Sequence, residues 1–338
     1  MKTHFVSEFE PNQLVTSFFL VHQKEVRLNK SGQSYLSMLL ADRTGVVDAK
    51  MWEGAEEAAA AFDRDDFVKI RALVQVHRHK PQLNVHKIRR AGAGEVDVAD
   101  YFPRTEKNVD EMWTELRAAV AAIAEPHLRA LADSFLDDPE IARRYRTAPA
   151  AKTVHHARIG GLLEHVISLL RLCRFAAGHY SFVDPDLLIA GAVLHDLGKI
   201  YELTYERSFG YTAEGQLIGH ISMLLNLIQQ RAAAIPGFPP KLQTLLEHVV
   251  LSHHGREEFG SPKRPMIPEA LLLHHLDNLD SKMECMRAAI AGDRNLEGVW
   301  TSYNAALETA VLKKDKFLAD PPGEPTPAPI AEDDGLAD

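Results

Sequence analysis

His195 and Asp196, side by side at the end of the apolar run LLIAGAVLHDLGK, are the pair in this sequence best placed to do chemistry. Successive side chains on a helix point about 100° apart, so imidazole and carboxylate can grip one ion only where it lies on the line between them. The carboxylate keeps a second oxygen free to bridge a second ion. Lys199 follows at i+4 from His195 and i+3 from Asp196, on the same face, where its ammonium could meet a phosphate oxygen. Taken alone, a chance His-Asp pair at a helix end explains these residues equally well. Further ligand types follow in order, however: His165 on an apolar helix, His220 after Gly219, His253-His254 closing another helix, and Asp277 in LHHLDNLDSK. Eleven of the 17 histidines fall between residues 155 and 275. Neutral imidazoles and carboxylates are the ligand set of borderline and hard divalent cations. A lone histidine on an apolar face, such as His165, is more often a core residue. Several of them at helix ends and beside glycines favour a shared site.

The elements that must position these residues are helical. From Val109 onward the apolar spacing is that of helices: VDEMWTELRAAVAAI, EPHLRALADSFLD and GGLLEHVISLLRLCRFAAGHY, then 186–201, 218–235, 241–253, 268–291 and 296–317. Residues 13–90 read differently. Five runs rich in Val, Leu, Ile and aromatics are separated by turn residues such as Asn29–Gly32, Asp42–Gly45 and His79-Lys80-Pro81, with an Ala/Glu helix at 53–62 between the third and fourth. That order predicts an all-β OB-type barrel (1–94) followed by a linker and connecting helices (95–149) and an all-α domain (150–317). The Pro-rich acidic end, 318–338, carries too little apolar surface to order itself.

A length of 338 residues fits more than one domain. No stretch reaches the ~18 apolar residues of a membrane span, and the N-terminus has no secretory-signal pattern. Two cysteines, Cys173 and Cys285, sit in apolar helical contexts, which predicts a reducing, cytoplasmic setting without a membrane partner. Net charge is −9, unevenly spread: residues 1–94 carry 14 basic against 11 acidic side chains, the remainder 24 against 36. An acidic part can cage cations while the basic part holds an anion; charge alone neither requires nor excludes nucleic acid.

The runs Val154–Ala157, Gly160–His165, HDLGK, Tyr211-Thr212 with Gly215 and Gly219-His220, Leu251–Gly255 and Asp277–Asp280 resemble the YhaM-type 3′→5′ exoribonucleases, which join an OB-type nucleic-acid-binding domain to an HD domain. The resemblance spans about residues 10–315; its HD motifs are specific, and its barrel part rests on element order. It implies that His165, His195, Asp196 and Asp277 hold a first metal. It further implies that His220, His253 and His254 help hold a second, with Asp196 bridging. Lys199 and His156 would face substrate phosphate, and Asp280 competes with Asp277. The implied chemistry is two-metal activation of water for phosphodiester hydrolysis, with Mn²⁺ the preferred ion and other divalent ions acceptable.

On the barrel, the hairpin with Arg78 and Lys80, continuing to Lys87 and Arg89, could bind a phosphate backbone or be a solvated edge that resists sheet pairing. Phe18, Phe19, Tyr35 and Trp52 could stack bases, though strand aromatics are more often core. The reading is therefore a metal-dependent 3′→5′ exonuclease acting on single-stranded RNA, with single-stranded DNA a second substrate. The alternatives are an HD phosphohydrolase of a small nucleotide with the barrel as an assembly module, and an RNA-binding adaptor with a degenerate HD fold. Oligomeric state is left open.

Overall fold

The computed structural model describes residues 2–29, 31–77, 80–92, 94–97, 100–151, 156, 158–204, 210–257, 260–293 and 298–319. The chain divides into two compact units, Met1–Ser281 and Lys282–Asp338.

Strands β1 (Leu14–Leu28), β2 (Ser34–Asp42), β3 (Gly45–Met51), β4 (Phe67–His77) and β5 (Lys80–Arg90) close into a barrel in the order β1-β2-β3-β5-β4. The β3–β5 pair is parallel and closes the sheet; the other pairs are antiparallel. Alternation drives closure: Leu36, Met38 and Leu40 on β2, and Val68, Ile70, Ala72 and Val74 on β4, all point inward and are buried. The long β1 serves both neighbours, pairing with β4 through Leu20 and with β2 from Leu20 on. Irregularities at Val21/Gln23 and Arg71/Ala72 supply the added bend that a small closed sheet needs. Helix α1 (Ala55–Ala60) lies between β3 and β4, so the N-terminal part is the five-stranded OB-like barrel that the strand pattern predicts.

The helical part of the first unit begins with α2 (Val109–Ala121), α3 (Pro126–Leu136) and α4 (Pro139–Thr147). It continues with α5 (Gly161–His179), α6 (Pro185–Leu194), α7 (Lys199–Glu202), α8 (Ala213–Ile218), α9 (His220–Ala234), α10 (Pro240–Ser252) and α11 (Pro268–Ala291), the last of which runs on into the second unit. Between α7 and α8 lie the short paired strands β6 (Leu203–Thr204) and β7 (Gly210–Tyr211). The starts are written locally. Asn108, Asp138 and Asp184 each accept two backbone N–H bonds at the first turn of α2, α4 and α6, and proline occupies the first turn of α3, α4 and α6. Leu187 to Leu194 are all buried, so α6 is apolar around its circumference and forms the axis of the core. Helices α2–α6 and α9–α11 share one apolar cluster. A smaller cluster of Phe18, Leu20, Tyr101 and Phe102, with Ile159 against it, joins the barrel to this helical part.

Two helices differ from expectation. The one read over 186–201 stops at Leu194, and the chain turns tightly through i→i−3 bonds (Leu197 N–H to Leu194, Lys199 N–H to Asp196) before α7. The helix read over 296–317 is absent among the described residues. Trp300 and Leu312, and Asn304 and Thr309, form antiparallel bridges, and only α12 (Lys314–Ala319) is helical. The Asn304 side chain accepts from the N–H groups of Ala306 and Leu307, a local turn that competes with helix. Residues from 320 on, including most of the Pro-rich end, lie outside the described residues. No helix among the described residues is long and apolar enough to cross a membrane.

Candidate metal centre

His195 and His253 occupy the C-cap positions of α6 and α10. The last carbonyls of a helix lack an intrahelical partner. The rings use this: Nδ1 of His195 bonds Ala192 O at 3.0 Å and Nδ1 of His253 bonds Val250 O at 2.6 Å. A carbonyl can only accept, so in both rings Nδ1 carries a proton and Nε2 is turned beyond the helix end. His220 opens α9. Its backbone N–H and its Nδ1 meet Glu202 Oε1 at 3.1 and 3.2 Å, which turns its Nε2 away from Glu202. Gly198 permits this approach: a Cβ there would run into the His220 carbonyl oxygen.

These ring nitrogens converge on one buried carboxylate. Asp196 Oδ2 lies 3.4 Å from His195 Nε2 and 3.8 Å from His165 Nε2. Its other oxygen, Oδ1, lies 3.6 Å from His220 Nε2 and 3.7 Å from His253 Nε2. Asp277 Oδ1 completes the Oδ2 side, 3.1 Å from His165 Nε2 and 4.0 Å from His195 Nε2. His254 completes the Oδ1 side, with ring centroids 4.2 Å from His253 and 5.2 Å from His220. The ligand atoms of His165, His195 and Asp277 lie within 4.8 Å of one another, and so do those of His220, His253 and His254. Nε2 of His195, His220 and His253 and Oδ1 of Asp196 are buried without a hydrogen-bond partner. Leaving one such atom unsatisfied costs about 1–3 kcal/mol. Three imidazole nitrogens and a carboxylate oxygen turned toward one another make the mixed N/O donor set of a divalent cation, so the residues fit divalent metal.

A third group, His156, His165 and Asp280, has comparable spacing. It would use His165 Nδ1, which already bonds Asp280 Oδ2 at 2.8 Å. Asp280 also accepts from Ser168 and sits 3.5 Å from His156 Nε2. His156, at φ 46° and buried, receives Arg158 on Nδ1 at 3.2 Å and faces Glu164. This chain lies behind His165 and orients its Nε2 toward Asp277, as carboxylates commonly do for metal-bound histidine. Glu202 does the same for His220. The sequence reading missed Glu202 and Glu164; it weighed Asp280 only as a competitor of Asp277.

The charges differ across the site. Burial opposes ionisation of Asp196, but Lys199 and His195 outweigh it and hold the carboxyl well below its usual range. Burial likewise opposes the charge on His165, yet Asp277 and Asp280 win and raise its pKa to about 10. On the other side burial dominates: it lowers His253 well below the ordinary value and, with His220, lowers His254 to about 4. Lys199 Nζ donates to Asp196 Oδ2 at 2.7 Å. It also lines a cavity of about 430 Å³ with Glu202, Tyr211, His220 and His254, which opens the Oδ1 side to substrate.

The barrel candidates separate in space. Arg78 lies outside the described residues; Lys80 and Lys87 are exposed, and Arg89 is paired through both guanidinium nitrogens with Glu95 at 2.7 Å. Phe18 and Phe19 are core. Tyr35 and Trp52 stack on the surface at 4.7 Å and 28°, with Lys50 Nζ 5.8 and 5.9 Å from the two rings.

Residues 162–282 match the HD domain family, and residues 20–91 match an OB-fold nucleic acid binding domain of the tRNA anti-codon type. The chain is also similar to the second OB-fold domain of replication protein A from Methanococcus maripaludis, at 24% identity over 29% of this chain and 98% of that one, TM-score 0.22. A further solved structure, an aspartyl-tRNA synthetase from Leishmania major Friedlin, matches at 16% identity over 38% of this chain and 31% of that one, TM-score 0.20. The HD match indicates a metal-dependent phosphohydrolase, and its union with the OB domain supports a nucleic-acid hydrolase.

Proposed function

We propose that the protein is a 3′→5′ exonuclease that hydrolyses single-stranded RNA, and single-stranded DNA as a second substrate, with two divalent ions, Mn²⁺ preferred. The observation that carries the reading is the division of Asp196: one oxygen faces His165, His195 and Asp277, the other faces His220 and His253. When bound, the metals supply Lewis acidity and an activated water for attack on phosphorus. The chain's own residues do the rest. Asp196 would be shared between the two ions, with His165, His195 and Asp277 holding the first and His220, His253 and His254 the second. Lys199, on the cavity wall, offsets charge that gathers on the phosphoryl oxygens as the bond to the 3′-oxygen breaks. No side chain need act as nucleophile. His156 holds Asp280, and through it His165, instead of reaching phosphate; this revises the role that the resemblance implied.

The test is incubation of the full chain with 5′-labelled RNA and DNA oligomers in Mn²⁺, Mg²⁺ or EDTA. A ladder of progressively shorter labelled products in Mn²⁺, absent in EDTA, is the expected result. The size of the cavity favours one competing reading, hydrolysis of a small nucleotide, since about 430 Å³ falls in the usual range for small-molecule sites. Intact oligomers beside rapid turnover of a mononucleotide would establish that alternative.

A further inference from the structure

Tyr211 belongs to a motif whose other member is explained. Thr212 caps α8, its hydroxyl accepting from Gly215 N–H at 2.8 Å and donating to Tyr201 O at 3.0 Å. Tyr211 is half exposed, and its main chain pairs with Leu203, next to the Glu202 that orients His220. Its place is informative because it lines two cavities. One is the cavity beside the metal site. The other, about 730 Å³, runs between the barrel and the β6–β7 strands, bounded by Leu39, Arg43, Val46, Arg64, Phe102 and Tyr211 among others.

Leu39 and Val46 are outward-facing residues of β2 and β3. The same face carries the stacked Tyr35–Trp52 pair with Lys50 at its far end, about 13 to 20 Å away at the rise of an extended strand. A surface therefore runs without interruption of register from the Tyr35–Trp52 pair along β2–β3 to Arg43, then over Tyr211 to Lys199. Arg64 is 68% exposed and Arg43 46% exposed, with carboxylates only at 3.8 Å. Aromatic faces with Lys50 at one end and Arg43 and Arg64 at the other, interrupted on β3 by the exposed Asp48, supply π-surfaces for bases and positive charge for phosphates at the two ends of the face.

Building on the nuclease reading, we propose that the substrate strand follows this track. Tyr211 stacks on a base at the passage from barrel to metal site, and Arg43 and Arg64 contact the phosphates just before it. The β2–β3 face is where OB-type barrels ordinarily hold oligonucleotides; the passage over Arg43, Arg64 and Tyr211 is what this chain adds.

Binding of 5′-fluorescein single-stranded RNA from about two to about twelve nucleotides long, from below to well within the site sizes of such barrels, tests the proposal in EDTA by anisotropy. Mn²⁺ kinetics then follow on the same oligomers. Tyr211→Ala should raise Kd and KM about tenfold for the longer oligomers, with a smaller change in kcat, and Tyr211→Phe should restore them to within about twofold. Arg43→Ala with Arg64→Ala should lower the log-log salt slope of binding by about 1.4, at about 0.7 per phosphate contact. Unchanged Kd and KM in Tyr211→Ala, or an equal loss for dinucleotide and dodecamer, would overturn the stacking role. If that variant misfolds, the arginine pair, on the barrel side, decides alone: an unchanged slope overturns the track. A wild type that neither binds nor shortens oligomers refutes the nuclease reading itself. A wild type that does both while the variants match it refutes only the track.

Discussion

The two sides of Asp196 are built from the same residue types but reach readiness for a cation differently. On the Oδ2 side His165 stands between two carboxylates, and with Lys199 also on Oδ2 the space is held by protein cations. On the Oδ1 side burial keeps His253 and His254 neutral, while His220 is held by Glu202 and His253 by a helix carbonyl. The difference teaches that a metal pocket can be stabilised without metal by a resident proton, or can simply leave lone pairs unsatisfied. All four of the orphaned atoms cited above lie on or around Asp196, and the Oδ1 side holds three of them: His220 Nε2, His253 Nε2 and Oδ1 itself.

Removing the shared group should break both sides together. Asp196→Ala is expected to lower hydrolysis by about 10²–10³-fold or more while circular dichroism stays native. Activity within about tenfold of wild type at saturating Mn²⁺ would remove Asp196 from the bridging position. Lys199→Ala should cost about 10²-fold in turnover with little loss of bound Mn²⁺, because its ammonium serves phosphate and balances Asp196. Parallel loss of metal and turnover would make Lys199 structural.

The supporting carboxylates should separate the sides. Glu202→Gln is expected to weaken one class of Mn²⁺ site by about 10–100-fold, and Asp280→Asn the other. Mn²⁺ titration followed by electron paramagnetic resonance reads both classes. If each variant weakened both classes equally, the two halves would be one cooperative unit.

The smallest effect is protonic. With His165 raised to about 10, the metal-free chain holds that proton at pH 7, and a ligating Nε2 must release it. Affinity on that side should therefore rise with pH toward 10. His254, lowered to about 4, is already neutral at pH 7 and has no proton to release there. Calorimetric titration in buffers of different ionisation enthalpy should find about one proton released, lost in Asp280→Asn. No release would mean that both sides are neutral before metal arrives.

The sequence by itself determined the elements and the ligand chemistry. Two-residue alternation specified the five strands, since a slip of one residue would expose Leu36, Met38 and Leu40 together. Caps at Asn108, Asp138 and Asp184 placed helix starts, and the order of His165, His195-Asp196, His220, His253-His254 and Asp277 offered the candidate donors that the fold brings together. Tertiary structure decided the rest. Asp277 and Asp280 are three apart on one helix and share a face, so local pattern cannot rank them. Only the seating of His165 between them assigns Nε2 to one and Nδ1 to the other. The end of α6 at Leu194, the bridged segment around Trp300 and Leu312, and the meeting of Glu202 with His220 depend on turns and long-range contacts that carry no period. Hydrophobic periodicity records which face is buried; it holds no record of which atom on that face meets which partner.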